Sequence, residues 1–168
     1  LANPARLELS ADGLTLYVAE FSSGIVTVNT GTGNRTLLSS NTVPNTNAAL
    51  FSEVMDITLD AANNRLLVLD RGTDAVFAVN LSTGARTAIS RTGVQGGNAL
   101  NFPLSMALDS ANNRALVYEA TENGVVGVDL ATGTRSLVDT YQQLQGGDGD
   151  LNNDDVRSMF WQNSRIVL

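Results

Sequence analysis

The sequence predicts an all-β fold assembled from tandem four-stranded units, and three observations carry that prediction. The chain repeats itself at intervals of 49 to 51 residues. Each repeat divides into four short apolar runs separated by turn residues. No stretch of ten residues shows the apolar period of a helix.

The repeat is plainest in two sets of strings. Leu7-ELSADGLTLYVAE-Glu20, Ile57-TLDAANNRLLVLD-Asp70 and Met106-ALDSANNRALVYE-Glu119 superpose, the bounding residues being counted in each string. So do Val26-TVNTGTGNRT-Thr36, Phe77-AVNLSTGART-Thr87 and Val126-GVDLATGTRS-Ser136. Leu9, Leu59 and Leu108 are spaced by 50 and 49, and Asn29, Asn80 and Asp129 by 51 and 49. A fourth copy opens at Val156-RSMFW and runs to Leu168. The copies span residues 1–47, 48–98 and 99–149, with the start of a fourth at 150–168.

Within the second copy, strand a is expected at about Asp56–Leu59, strand b at Leu66–Leu69, strand c at Val76–Asn80 and strand d at Arg86–Ser90. The a–b turn is Ala61-Ala-Asn-Asn64, where Asn tolerates the positive φ of a tight hairpin. The c–d turn carries Thr-Gly in every copy, placing Gly33, Gly84 and Gly133 where a left-handed residue is wanted. Four strands per repeat, hairpin following hairpin, describe the blade of a β-propeller. The expectation is about three and a half antiparallel blades of ~49 residues each, forming part of a larger ring, because rings typically need at least about four blades.

Asp60 and Arg65 flank one a–b turn and Asp109 and Arg114 the next, so each pair faces across its hairpin. The first copy holds Ser10 and Thr15 at the same places. These pairs are expected as surface ion pairs, worth well under about 1 kcal/mol each.

Composition narrows the function classes. The 168 residues carry a net charge of −7, with 43% hydrophobic and 16% charged residues, which suits a globular domain. There is no Cys and no His, so thiolate zinc sites, cysteine nucleophiles and Ser-His-Asp triads cannot be built here. All ten cations are Arg, which removes Schiff-base chemistry. The negative charge argues against nucleic acid as a partner. No apolar run is long enough for membrane insertion as a helix.

At Leu16-YVAE-Glu20 with Ile25-VTVN-Asn29, and at Val76-FAVN-Asn80 with Gly84, the chain resembles the NHL and YVTN-type propellers. The leading proline of that pattern is present as Pro4 and Pro103, whereas the second and fourth copies have Val54 and Val156. The resemblance covers nearly the whole chain and implies a propeller used by binding scaffolds, gluconolactonase-like hydrolases and streptogramin-lyase-like enzymes. The lactonase-like members hold a divalent cation with Glu, Asn and Asp at the channel mouth, and no matching local signature occurs here. The lyase-like members use His, which is absent.

Two residue sets stand out as candidate sites. Glu20, Asp70 and Glu119 end strand b of each copy, on the face that carries the b–c turns and the long d–a connections. They either ring the channel mouth or accept backbone N–H groups in the adjoining turn. Asp148, Asp150, Asn152 and Asp154 fall at alternate positions in Gly146-GDGDLNNDD-Asp155, a spacing that suits Ca2+, although Asn153 and Met159 replace the turn Gly and bidentate Glu of an EF-hand loop. The d–a connections, Ser40–Glu53, Arg91–Phe102 and Thr140–Asp155, are long and irregular where the other turns are short, and recognition concentrates in such loops. The expected function is a non-enzymatic, extracytoplasmic module, extracellular, periplasmic or on the cell surface, that binds a protein or small-molecule ligand through this face. A lactonase-like hydrolase completed by residues elsewhere, and a structural protein self-associating through open sheet edges, are the alternatives.

Overall fold

The structure, a computed structural model, describes residues 3–21, 24–44, 50–121, 123–140, 160–162 and 165–167. Blade 1 comprises β1 (Pro4–Leu9), β2 (Thr15–Glu20), β3 (Gly24–Asn29) and β4 (Arg35–Ser40). Blade 2 comprises β5 (Val54–Asp60), β6 (Arg65–Asp70), β7 (Ala75–Asn80) and β8 (Arg86–Arg91). Blade 3 comprises β9 (Pro103–Asp109), β10 (Arg114–Glu119), β11 (Gly124–Asp129) and β12 (Arg135–Thr140). A final hairpin pairs β13 (Phe160–Gln162) with β14 (Arg165–Val167), setting Trp161 opposite Ile166. Each blade is an antiparallel meander of consecutive strands, as the repeat predicts. These are all-β propeller blades. The helical content among the described residues is three single turns of 3-10 helix.

Blades stack with their first strands side by side, β1 against β5 and β5 against β9, while β13 lies on β9. The stacking explains why strand b is apolar at successive positions instead of alternating. Leu66 and Val68 point at blade 1, where they meet Tyr17, Ala19 and Ile25. Leu67 and Leu69 point at blade 3, where they meet Met106, Ala115 and Val117. All four side chains are fully buried. A strand between two joints needs both faces apolar, and each such side chain contributes roughly 1.5–3 kcal/mol by leaving water.

Local chemistry sets the turns. Asn29 Oδ1 accepts from the backbone of Gly31 and Thr32, Asn80 Oδ1 from Ser82 and Thr83, and Asp129 Oδ1 from Ala131 and Thr132. These Asx turns close all three c–d hairpins alike. Asn64 and Asn113 take the left-handed conformation at the a–b turns, with φ of 50° and 48°.

Gly84 and Gly133 serve a second purpose, which their turn position alone does not announce. A Cβ on Gly84 would lie 1.8 Å from the Leu38 carbonyl oxygen of blade 1, and one on Gly133 would lie 2.0 Å from the Ile89 oxygen of blade 2. Each c–d turn thus abuts the outer strand of the blade before it.

The Asp–Arg pairs face each other as expected, Arg65 Nε donating to Asp60 at 2.7 Å and Arg114 Nε to Asp109 at 2.8 Å. They are not surface pairs, because both aspartates are buried. Asn63 Nδ2 donates to both Asp60 oxygens, and Asn112 donates to Asp109 through its backbone and side chain. The Asp is the acceptor around which the corner folds. Burial raises the Asp109 carboxyl, yet the hydrogen bonds from Arg114 and Asn112 outweigh it and hold the group below the usual carboxylate range.

Candidate functional site

The b–c turns and d–a connections form one face, and its geometry begins with the carboxylates ending strand b. All three, Glu20, Asp70 and Glu119, are buried. Asp70 Oδ2 accepts from the Ser52 amide at 2.7 Å, and its Oδ1 from the Thr73 amide at 2.9 Å and Thr73 Oγ1 at 3.0 Å. The Glu53 amide also donates to Asp70. Glu119 Oε1 accepts from the Phe102 amide. Asp70 and Glu119 therefore fasten the segment leading into strand a of their own blade, and Asp70 also closes the b–c turn. Charge-assisted bonds of this kind are stronger than neutral ones and fix where each connection enters strand a.

Charge and ring contacts link neighbouring blades across this face. Arg71 donates to Glu53 twice, at 2.7 and 2.6 Å, and its guanidinium stacks 4.5 Å from the Phe102 ring centroid. The Arg71 hydrogen bond holds the Glu53 carboxyl below its ordinary range. Asp74 is raised by burial and then by the charges of Glu119 and Asp70, with Arg91 opposing.

The connections are also clasped from the side. Arg135 donates to the carbonyls of Asn98, Arg91 and Gln95 and to Ser90 Oγ. Arg86 lies over the Phe51 ring at 3.9 Å. Both arginines begin strand d and reach back to the connection preceding their blade. Neither was singled out from sequence, although Thr-Gly-x-Arg recurs in all three copies and would have marked them.

Four large apolar side chains remain exposed on the d–a connections: Val43, Leu50, Val94 and Phe102. They sit on segments whose ends are bonded down by Asp70, Glu119 and Arg135. Phe51, between them, is buried edge-on against Phe77 with centroids 5.8 Å apart. The face therefore combines a rigid base with apolar groups turned toward solvent. The candidate calcium ligands Asp148, Asp150, Asn152 and Asp154 lie outside the described residues. Among the described residues, no three Asp or Glu side chains group so as to hold a metal ion.

No family model matches this chain, and no curated protein matches its sequence. Similarity to solved structures is nevertheless extensive. A chain of the nidogen/laminin complex superposes with a TM-score of 0.61 at 17% identity, over 83% of this chain and 54% of that one. A chain of Kuenenia stuttgartiensis hydrazine synthase gives 0.61 at 17% identity, over 80% of this chain and 35% of that one. This chain spans about half of the first and about a third of the second. Likeness at this identity concerns the fold, since one propeller scaffold hosts unrelated functions.

Proposed function

We propose that this chain is a non-enzymatic binding module of NHL/YVTN type, acting outside the cytoplasm, which holds a protein or small-molecule ligand on the face of its d–a connections. The observation behind this reading is the exposure of Val43, Leu50, Val94 and Phe102 on connections whose ends are fastened. Apolar groups turned to water on one face mark an interaction site more often than chance exposure, and a pre-ordered loop binds at a smaller entropic cost. The likeness to a chain of a nidogen/laminin complex is compatible with protein binding. The extracytoplasmic placement rests on the Asn-, Thr- and Gly-rich connections and on the resemblance.

The test is a triple variant, Leu50→Asp, Val94→Asp and Phe102→Asp, compared with the parent for ligands retained from the source organism's own extracellular material. Partners identified on the parent should be lost from the triple variant while its far-UV circular dichroism matches the parent's, with the lost Arg71–Phe102 stack lowering Tm by no more than a few degrees. Equal retention by both proteins would remove this face from consideration.

A further inference from the structure

We infer that Asp74, with Val94 and Phe102 beside it, receives a cationic side chain of a protein partner, an Arg or Lys flanked by apolar residues in an exposed segment. The inference rests on the ligand face proposed above and names the chemistry that fits one part of it.

The patch lies at the joint between blades 2 and 3, with a complete sheet on either side. Asp74 closes the b–c turn of blade 2 in the left-handed conformation, with φ of 51°, its amide donating to the Arg71 carbonyl. Its own carbonyl accepts from the Thr92 amide at 3.0 Å, which brings the following d–a connection alongside. Thr92 Oγ1 in turn accepts from the Leu100 amide, so this connection folds back on itself with Val94 between the two. Val94 is 70% exposed. From the same b–c turn Arg71 reaches the ring of Phe102, a residue that is still 46% exposed. One turn thus ties the carboxylate to both apolar groups.

The carboxylate itself is unengaged. Its counterpart in blade 3 is Asn123, with φ of 47°, whose Oδ1 accepts from the Tyr118 hydroxyl at 3.0 Å. Leu69 stands in blade 2 where Tyr118 stands in blade 3, and the Asp74 carboxylate has no hydrogen bond or ion pair among the described residues. Glu119 and Asp70 add negative charge around it, Arg71 is engaged by Glu53, and Arg91 opposes without forming an ion pair. A half-buried carboxylate with like charges near it and no donor gains more from an incoming cation than one in open water.

The surroundings choose the kind of cation. A hard metal ion takes about six or more oxygens, and no three acidic side chains among the described residues group to hold one. Arg and Lys need a single carboxylate for the charged head and apolar surface for the stem, which Asp74, Val94 and Phe102 supply together. The net charge of −7 steers a basic partner in the same direction.

The probe is a random peptide library displayed on phage and selected on the intact chain. Enriched peptides should carry Arg or Lys next to aromatic or aliphatic residues. A synthetic copy of an enriched peptide should bind Asp74→Asn about tenfold more weakly than the parent, and Val94→Ser should weaken it too. Asn keeps the turn, since Asn123 holds the same backbone in blade 3, and far-UV circular dichroism should match the parent's. The deciding measurement is a double-mutant cycle: replacing the peptide's cation by Gln should cost about tenfold on the parent and little on Asp74→Asn. Equal losses on both proteins would overturn the assignment, as would enriched peptides that lack a basic residue. If peptides lost with Val94→Ser ignore Asp74→Asn, the ligand face stands and its cation site falls. If they ignore both substitutions, they bind elsewhere and the face falls with it. No enrichment over the bare support would also overturn the assignment, leaving the face to the triple variant.

Discussion

The a–b corner of blade 1 and those of blades 2 and 3 close the same hairpin with different chemistry. In blades 2 and 3 a buried aspartate at the end of strand a gathers an asparagine and an arginine. In blade 1 the strand-end residue is Ser10, whose hydroxyl accepts from the Thr15 amide and donates to Asp12, and Asp12 accepts from the Leu14 amide. The carboxylate has moved from the buried strand end into the exposed turn, and the arginine has gone with it. A corner needs one acceptor in place, and the cost of each solution depends on where the carboxylate sits. A buried carboxylate ties its corner to its donors, while an exposed one leaves water to help.

The comparison breaks most severely at Arg114. Arg114→Ala leaves Asp109 buried with only the Asn112 donors, and should cost about 3 kcal/mol by denaturant unfolding. A loss below about 1 kcal/mol would mean that water replaces the guanidinium and that the pair is a surface feature after all.

A second test contrasts Asp109 with Asp56, a buried carboxylate whose arginine stands farther off. Arg6 Nε is 3.5 Å from Asp56 Oδ1, against 2.8 Å in the Arg114–Asp109 pair. Burial pushes Asp56 up to about 6, opposed by the Met106 amide, by Arg6 and by the Ile57 amide, with Glu8 adding to the rise. Its folded pKa lies above the unfolded one, so the folded state binds more protons and stability falls as pH rises from about 4 to 6. The fall attributable to Asp56 should be about 2 kcal/mol and should vanish in Asp56→Ala. Glu8, raised by burial, acts in the same direction. Asp109 has the opposite sign: its contribution is present above its unfolded pKa and lost only as pH drops through the lowered folded value. Urea unfolding between pH 4.5 and 6.5 separates the two, and a flat profile would contradict the Asp56 assignment.

Smaller effects come from transplanting one corner into another. Asp60→Ser with Arg65→Thr copies only the strand ends of blade 1 and leaves Asn63 without its acceptor, at a cost of about 1–2 kcal/mol. Replacing all six residues Asp60–Arg65 by the sequence of Ser10–Thr15 brings in Asp12 and Gly13 as well, and should fall within about 0.5 kcal/mol of the parent. If both swaps cost the same, the corner's acceptor is not what sets its stability.

Much of the fold was legible because its signals are local. Each expected strand of blade 2 lies inside the observed one, which runs one or two residues further at most of its ends. The ends extend because Val54, Asp70 and Ala75 find ladder partners that no periodicity reveals. The pairing of Asp60 with Arg65 was also legible, since a hairpin's register follows from its turn. Its burial was not, because burial depends on packing that a hairpin's register does not reveal. The candidate site was legible only as a face. Long connections and strand-end carboxylates marked it, and the local Thr73 amide on Asp70 belongs to the adjoining turn, but the other amides that Asp70 and Glu119 accept from lie 17 or 18 residues back along the chain.

By itself the sequence determined the repeat, the number of strands per blade, the Asx turns at Asn29, Asn80 and Asp129, and the left-handed positions of the hairpins. Those features depend on neighbours a few residues apart and on backbone sterics. Only the tertiary structure decided that Gly84 and Gly133 receive a carbonyl from another blade, that Arg86 and Arg135 clasp a foreign connection, and that Asp56 accepts from Met106, 50 residues away. Gly33 and Arg35 show why: they have the same local sequence as their counterparts, yet what each can touch depends on whether a neighbouring sheet is stacked against it.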